Sequence, residues 1–428
     1  MYDFHLKGGA LHCEGVPLTE IAQRVGTPVY VYSTATMLSQ AAHFRRALDP
    51  LQDPLIAYAV KANSNAAVVA TLARSGLGAD IVSGGEYRRA RAAGMKPHCI
   101  VFSGVGKTEA EMALALEGGL YQFNVESLEE AETLSAVASS LGVVAPAAFR
   151  VNPNVGGGAH AKITTGAAEN KFGIPIGDAL ELYARAARLP GLKLQGVAIH
   201  IGSQLSSLDP FAEAFGKIGK LIGELRSSGH EISVADLGGG LGVPYDPGLP
   251  PPPSPADYGA MVRRVTSGWG VRLVFEPGRL IVGNAGVLLS SVIRVKPGAA
   301  HPFVIVDAAM NDLMRPALYE AWHKIDAVRP SGQEWTANVV GPVCETGDTF
   351  ATARRMDRVG PGDLVVFRTA GAYAATMSGT YNSRPLTPEV LVDGDRWAVV
   401  RPRVDVEALI AADSMPAWLT GCVADASD

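Results

Sequence analysis

Apolar residues along the chain fall into two spacings. In one, apolar positions recur three and four apart, at about 34–47, 65–74, 84–93, 108–118, 127–141, 176–188, 210–228 and 257–267. In the other they form short unbroken runs, at 55–60, 78–82, 98–103, 121–125, 145–151, 194–201, 231–237 and 272–277. The first spacing predicts amphipathic helices, the second strands buried on both faces. Strands alternating with helices of this length predict βαβ units and a parallel sheet. Eight such strands in about 250 residues fit a (β/α)8 barrel of the TIM type. A doubly wound open sheet is the structural competitor.

From about residue 285 the pattern changes. Alternating runs at Val287–Val295, Phe303–Val306, Trp335–Val340, Leu364–Phe367 and Arg396–Val400 are separated by turn residues such as Pro361-Gly362-Asp363. This predicts an antiparallel β-domain. The expected division is a segment 1–28 packing with the β-domain, a barrel over 29–284 and the β-domain over 285–428. The barrel domain is expected to open on the strand Val29-Tyr30-Val31-Tyr32. Two long loops interrupt the barrel. Residues 153–173 are rich in glycine and polar groups and read as a rim or lid. Pro247 to Pro255 is dense in proline and reads as a stiff surface crossing without chemistry.

Composition narrows the class. The 428 residues are 47% apolar and 18% charged, which is globular. A net charge of −5 argues against nucleic-acid or anionic-membrane partners. No apolar run approaches the roughly 20 residues of a bilayer span. The four cysteines (Cys13, Cys99, Cys344, Cys422) are scattered without metal-ligand spacing. A cytoplasmic protein with free thiols and no metal is the expectation.

A barrel collects its chemistry at the C-terminal ends of its strands. The first run ends in Lys61, the second carries Asp80 and then Ser83-Gly84-Gly85-Glu86, the fourth ends in Asn124 and Glu126, and the fifth carries Arg150 and Asn152. The sixth leads into His200-Ile201-Gly202-Ser203-Gln204, the seventh into Asp236-Leu237-Gly238-Gly239-Gly240, and the eighth into Glu276-Pro277-Gly278-Arg279. Each alone has a plain explanation. Lys61 can lay its stem along the strand with its ammonium in water. His200 can be a bonded core histidine, and Glu276 with Arg279 a local ion pair. The triple glycine is not a dinucleotide fingerprint, and Pro244 breaks any following helix. It does offer bare N–H groups for a phosphate, and loops after the last two barrel strands often hold one. A lysine amine, a phosphate cradle, a carboxylate for a ring nitrogen and an aromatic group to stack describe a pyridoxal phosphate site.

At this point a resemblance enters. Tyr58-Ala59-Val60-Lys61-Ala62-Asn63, His200-Ile201-Gly202-Ser203-Gln204, Leu237-Gly238-Gly239-Gly240 and Glu276-Pro277-Gly278-Arg279 resemble the signatures of the fold-type III pyridoxal phosphate decarboxylases, with their alanine racemase-like two-domain architecture. Met314-Arg315-Pro316-Ala317-Leu318-Tyr319 and Gly341-Pro342-Val343-Cys344-Glu345-Thr346-Gly347-Asp348 resemble the diaminopimelate decarboxylase family within them. The resemblance implies decarboxylation of meso-2,6-diaminopimelate to L-lysine, and it implies roles. Lys61 would bind pyridoxal 5'-phosphate covalently, His200 stack on its ring, and Glu276 pair with its ring nitrogen. Ser203, Gly239, Gly240 and Gly278 would hold its phosphate. Arg279, Arg315 and Tyr319 would hold the substrate. Cys344 would donate a proton, Glu345 read the distal amino end, and Tyr373 touch both cofactor and substrate. The Cys344 segment would come from the partner subunit of a homodimer. Asp80 and Arg150 are supporting candidates. Another basic amino-acid decarboxylase, a racemase and a non-catalytic pyridoxal phosphate carrier are the alternatives.

Overall fold

The structure, a computed structural model, describes residues 3–156 and 170–420. The 157–169 part of the expected lid and Cys422 lie outside the described residues.

Eight parallel strands close on themselves. Leu55–Ala59 pairs with Gly78–Ile81, then Ile100–Phe102, Gln122–Val125, Ala145–Asn152, Leu192–Ala198, Val234–Asp236 and Arg272–Phe275, which pairs back to Leu55–Ala59. Every residue of the strand Leu55–Ala59 is buried, as a barrel strand flanked by side chains on both faces must be. Helices start abruptly after strands because polar caps stand at their first turns. Ser83, Ser127 and Thr108 accept the backbone N–H of Glu86, Glu130 and Glu111. Thr108 and Glu111 complete a reciprocal capping box.

The second sheet differs from the sequence expectation in two respects. It is mixed rather than antiparallel, because Phe303–Val306 runs parallel to Glu334–Val340 and Val29–Ser33 parallel to Glu389–Asp393. It also contains the strand Val29–Ser33, expected in the barrel domain, which lies between Gly286–Lys296 and Glu389–Asp393. The apolar run of that strand carries no information about which sheet it joins. Tyr30 and Tyr32 face the barrel-side core while Val29 and Val31 face a second core shared with the N-terminal segment. The barrel unit therefore begins at the helix Thr34–Leu48. Residues Phe4–Lys7, Ala10–Cys13 and Val16–Pro17 form their own small sheet, and Phe4, Leu11, Val16, Leu18 and Ile21 pack with Val287, Val366 and Val390 of the β-domain.

The two units are locked together by buried polar bonds. Glu389, on the β-domain, is 2% exposed. It accepts from Tyr32 Oη and from the Asn65 amide at 2.9 Å, and lies 3.0 Å from the Arg401 guanidinium. Asn65 caps the helix that follows Lys61, so the β-domain holds the lysine's surroundings from outside the barrel. Removing this acceptor strands two buried donors, Tyr32 Oη and the Asn65 amide, beside the half-buried Arg401. Glu389→Ala is expected to cost about 1–3 kcal/mol, the penalty of leaving buried donors unsatisfied, read as a lower denaturant midpoint. An unchanged midpoint would show that the network contributes nothing.

Candidate active site

Lys61 does not end the strand itself. It sits in the single 3-10 turn Val60–Ala62 that follows Leu55–Ala59. The turn is fixed from the β-domain: Tyr373 donates its N–H to the Ala62 carbonyl at 2.8 Å, and the Asn63 amide donates to the Gly371 carbonyl at 3.2 Å. Tyr373 adopts φ +52°, a left-handed conformation unusual for a tyrosine, and it lines the cavity in front of the lysine.

The Lys61 ammonium donates to Asp80 Oδ2 at 2.7 Å. Burial disfavours its charge, but the Asp80 and Glu276 carboxylates outweigh burial and raise its pKa above the ordinary value. Asp80 is fully buried, and its other oxygen, Oδ1, has no hydrogen-bond partner.

Across the barrel mouth stands Glu276, 6% exposed. Burial raises its pKa, Asp236 and Asp80 raise it further, and Lys61 opposes them. Asp236 is itself pushed up to about 6, mainly by burial. A buried polar chain supports the pair. Asn124 donates to Asp236 at 2.8 Å and to Ser103 at 3.1 Å, and Ser103 donates to Glu276 Oε1 at 3.3 Å. The Asp236 carboxylate opposes a second negative charge on Glu276, which is why the Glu276 carboxyl is pushed up beyond the effect of burial.

Ser203, Gly238, Gly239, Gly240, Gly278, His200, Glu276, Arg279, Lys61 and Tyr373 line one cavity of about 490 Å³. Gly238 (φ +66°) and Gly240 (φ +119°) adopt backbone conformations that favour glycine, and a Cβ on Gly239 would fall 2.2 Å from the Glu276 carbonyl oxygen. The His200 Nδ1 accepts the Gly239 N–H at 3.2 Å. Burial, with Arg150 and Lys61, pushes its pKa well down, so the ring is a neutral imidazole. Arg150 pairs with Glu126 at 2.9 Å, and Glu126 also accepts the Gly173 N–H, tying down the returning end of the expected lid.

Arg279 links this cavity to a larger chamber of about 1050 Å³ containing Arg315, Tyr319, Tyr245 and Trp322. Arg279 donates to Ser203 Oγ at 3.1 Å and stacks over Tyr373 at 4.7 Å. Leu249, Pro250 and Pro252 form a wall of the chamber. The proline-rich stretch expected to be a crossing without chemistry therefore shapes the site, because its stiffness holds a wall that flexible chain would not.

Cys344 and Glu345 stand apart. Both are exposed and line neither cavity. Their loop is organised by Asp348, which accepts the Val343 and Met310 N–H groups at 2.7 and 2.6 Å. Glu345 faces Tyr381, whose hydroxyl pKa it raises, and the Cys344 N–H donates to Asn382.

Residues 35–283 match the family model described as pyridoxal-dependent decarboxylase, pyridoxal binding domain. Diaminopimelate decarboxylase from Zymomonas mobilis is 53% identical over 98% of this chain and all of its own. The Pseudomonas fluorescens enzyme of that name is 50% identical, covering 96% of this chain and 99% of its own. The chain belongs to the diaminopimelate decarboxylases, a fold-type III family of pyridoxal phosphate-dependent lyases. A structure of the M. jannaschii diaminopimelate decarboxylase in co-complex with L-lysine superposes with a TM-score of 0.93 at 34% identity, covering 97% of this chain and 98% of that one. The Helicobacter pylori enzyme complexed with L-lysine gives 0.89 at 39% identity, covering 92% of this chain and 98% of that one.

The residues present fit the cofactor of this family. The glycines present bare backbone to the cavity because a Cβ on Gly238, Gly239 or Gly240 would strike neighbouring backbone, a lysine amine faces the cavity, and a buried carboxyl stands opposite. Among the described residues no cluster of three or more His, Cys, Asp or Glu is placed to hold a metal.

Sequence reasoning missed Tyr245, His323 and Ser103, none of which stands in a repeated or spaced motif, whereas Glu86 is among the strand-end groups it singled out. Glu86 accepts the Val82 N–H at 2.8 Å near Lys61 and Asp80, and burial pushes its carboxyl from an ordinary 4.5 up to about 7. Between those two values the folded chain keeps a proton that the unfolded chain has released. Stability contributed by this group therefore falls as pH rises from 4.5 to 7 and is level above. Glu86→Gln keeps the acceptor and removes the titration. Its urea midpoint is expected to fall less steeply over that window than the parent's; parallel curves would contradict the assignment.

Proposed function

We propose that the chain catalyses the pyridoxal phosphate-dependent decarboxylation of meso-2,6-diaminopimelate to L-lysine and carbon dioxide, the last step of lysine biosynthesis, as a cytoplasmic homodimer. The observation that carries the substrate assignment is the pair Arg279 and Arg315. Both are 6% exposed, both face the chamber that opens from the Lys61 cavity, and among the described residues neither pairs with a carboxylate. Buried guanidinium groups without counter-charge suit a ligand that brings carboxylates at both ends.

Pyridoxal phosphate, when bound, supplies an electron sink for the electron pair left at the α-carbon when carbon dioxide departs. Lys61 would hold the cofactor and yield its place to the substrate amine. Asp80 keeps the lysine nitrogen oriented through the 2.7 Å contact. Ser203, Gly239, Gly240 and Gly278 would hold the phosphate, and the neutral His200 ring would stack on the pyridine. Glu276, as a carboxylate, would favour a protonated ring nitrogen by charge pairing and so favour the electron sink. Arg279 and Arg315 would receive carboxylates, with Tyr319 and Tyr373 closing around the substrate.

Cys344 would deliver the proton to the α-carbon and Glu345 would meet the distal ammonium. Their exposure, away from the cavity of their own chain, supports supply to the partner subunit's site. Such an arrangement also accounts for a loop held rigid by Asp348 while its tip faces outward.

Purified protein with pyridoxal phosphate and meso-diaminopimelate is expected to release lysine and carbon dioxide in equal amounts; no lysine would sink the proposal. Lys61→Ala and Cys344→Ala are each expected to lose most activity. Mixing the two under exchange conditions should restore activity through hybrid dimers carrying one intact site. Failure to complement, with both variants dimeric, would refute the shared site.

A further inference from the structure

His323 is buried at 1% exposure behind the substrate chamber, on the loop after the helix Arg315–Tyr319. Its two ring nitrogens have different duties. Nδ1 lies 2.8 Å from the Arg368 carbonyl oxygen. A carbonyl can only accept, so Nδ1 carries the proton. Nε2 then presents a lone pair, and it lies 2.8 Å from Arg315 Nη1. The imidazole therefore accepts from the guanidinium.

Three further contacts fix the arrangement. The Arg315 guanidinium stacks over Tyr245 at 4.6 Å. Tyr245 meets the His323 ring edge-on, with centroids 5.4 Å apart. Arg354 donates to the His323 carbonyl at 2.6 Å and stacks over Trp322 at 4.2 Å, holding the backbone. Arg315 Nε, by contrast, is buried without any hydrogen-bond partner. An unsatisfied buried donor is costly and calls for an explanation, such as a ligand that completes it.

We propose that His323 is the positioning residue for Arg315, a neutral acceptor that aims the guanidinium into the chamber without cancelling its charge and so selects substrates carrying a distal carboxylate. A carboxylate in its place would orient Arg315 equally well, yet would compete with the substrate for the same cation. Burial and the neighbouring Arg315 push the His323 pKa down to about 3, so the ring stays neutral under ordinary conditions. The Arg315 Nε makes no hydrogen bond to the described residues, so its N–H is left unspent beside the chamber that Arg315 lines. This inference rests on the reading that Arg315 receives the substrate.

The test compares KM and kcat for meso-diaminopimelate with the inhibition constants of L-lysine, which keeps the distal carboxylate, and of 1,5-diaminopentane, which lacks it. His323→Leu is expected to raise KM about tenfold or more, the usual worth of a hydrogen bond to a charged group. The lysine inhibition constant should rise with KM, while kcat and inhibition by 1,5-diaminopentane should stay near the parent values. His323→Gln, whose Oε1 can occupy the Nε2 position, should restore KM, whereas His323→Glu should raise it. If His323→Leu fails to fold, the contrast between Gln and Glu still decides. Equal KM values for the Gln and Glu variants, or a loss confined to kcat, would overturn the proposal. Arg315→Met separates the two claims. If it leaves KM unchanged, the substrate reading fails; if it raises KM while the His323 variants do not, only the positioning role fails.

Discussion

The site depends on a contact of 2.7 Å between the Lys61 ammonium and a fully buried aspartate, Asp80. A lysine at a barrel strand end would ordinarily extend to water. Here the second strand places Asp80 beside it, and the seventh and eighth add Asp236 and Glu276 across the mouth. One cation among three carboxylates is an unbalanced arrangement in a low-dielectric space. The structure answers it in two ways: the carboxylates hold Lys61 in its charged form, and burial raises the pKa values of Asp236 and Glu276. A protonated ring nitrogen beside Glu276 would complete that balance, so the same imbalance that burdens the protein alone favours the cofactor.

The neighbouring chamber has the opposite imbalance. Arg279 and Arg315 bring two positive charges, cushioned by the rings of Tyr245 and Tyr373 rather than by acids. Arg279 lines both spaces, so one side chain ties the Lys61 cavity to the Arg315 chamber. Excess negative charge in one space and excess positive charge in the other describe what each receives: a ring with a protonated nitrogen on one side, a dicarboxylic amino acid on the other.

Much of this was legible in the sequence because βαβ repetition converts chain order into spatial order. Once eight strands close, each strand-end residue must face the same mouth, and Lys61, His200, Gly239, Gly240, Glu276 and Arg279 duly line one cavity. Boundaries and walls were less legible. The strand Val29–Ser33 has an apolar run that fits either sheet, and only its partners Gly286–Lys296 and Glu389–Asp393 decide its place. The proline run at 247–255 shows stiffness in its composition but not what that stiffness encloses. His323 had no signal, since its meaning lies in which nitrogen meets a carbonyl and which meets Arg315.

The claim on which the rest turns is that Lys61 bonds the cofactor. Borohydride reduction of the pyridoxal phosphate-loaded protein, followed by peptide mapping, tests it directly. The account requires the reduced pyridoxyl group on the peptide containing Lys61, with none on that peptide when meso-diaminopimelate is added before reduction of a catalytically slowed variant. Attachment at another lysine, such as the buried Lys107, or no attachment at all, would contradict it.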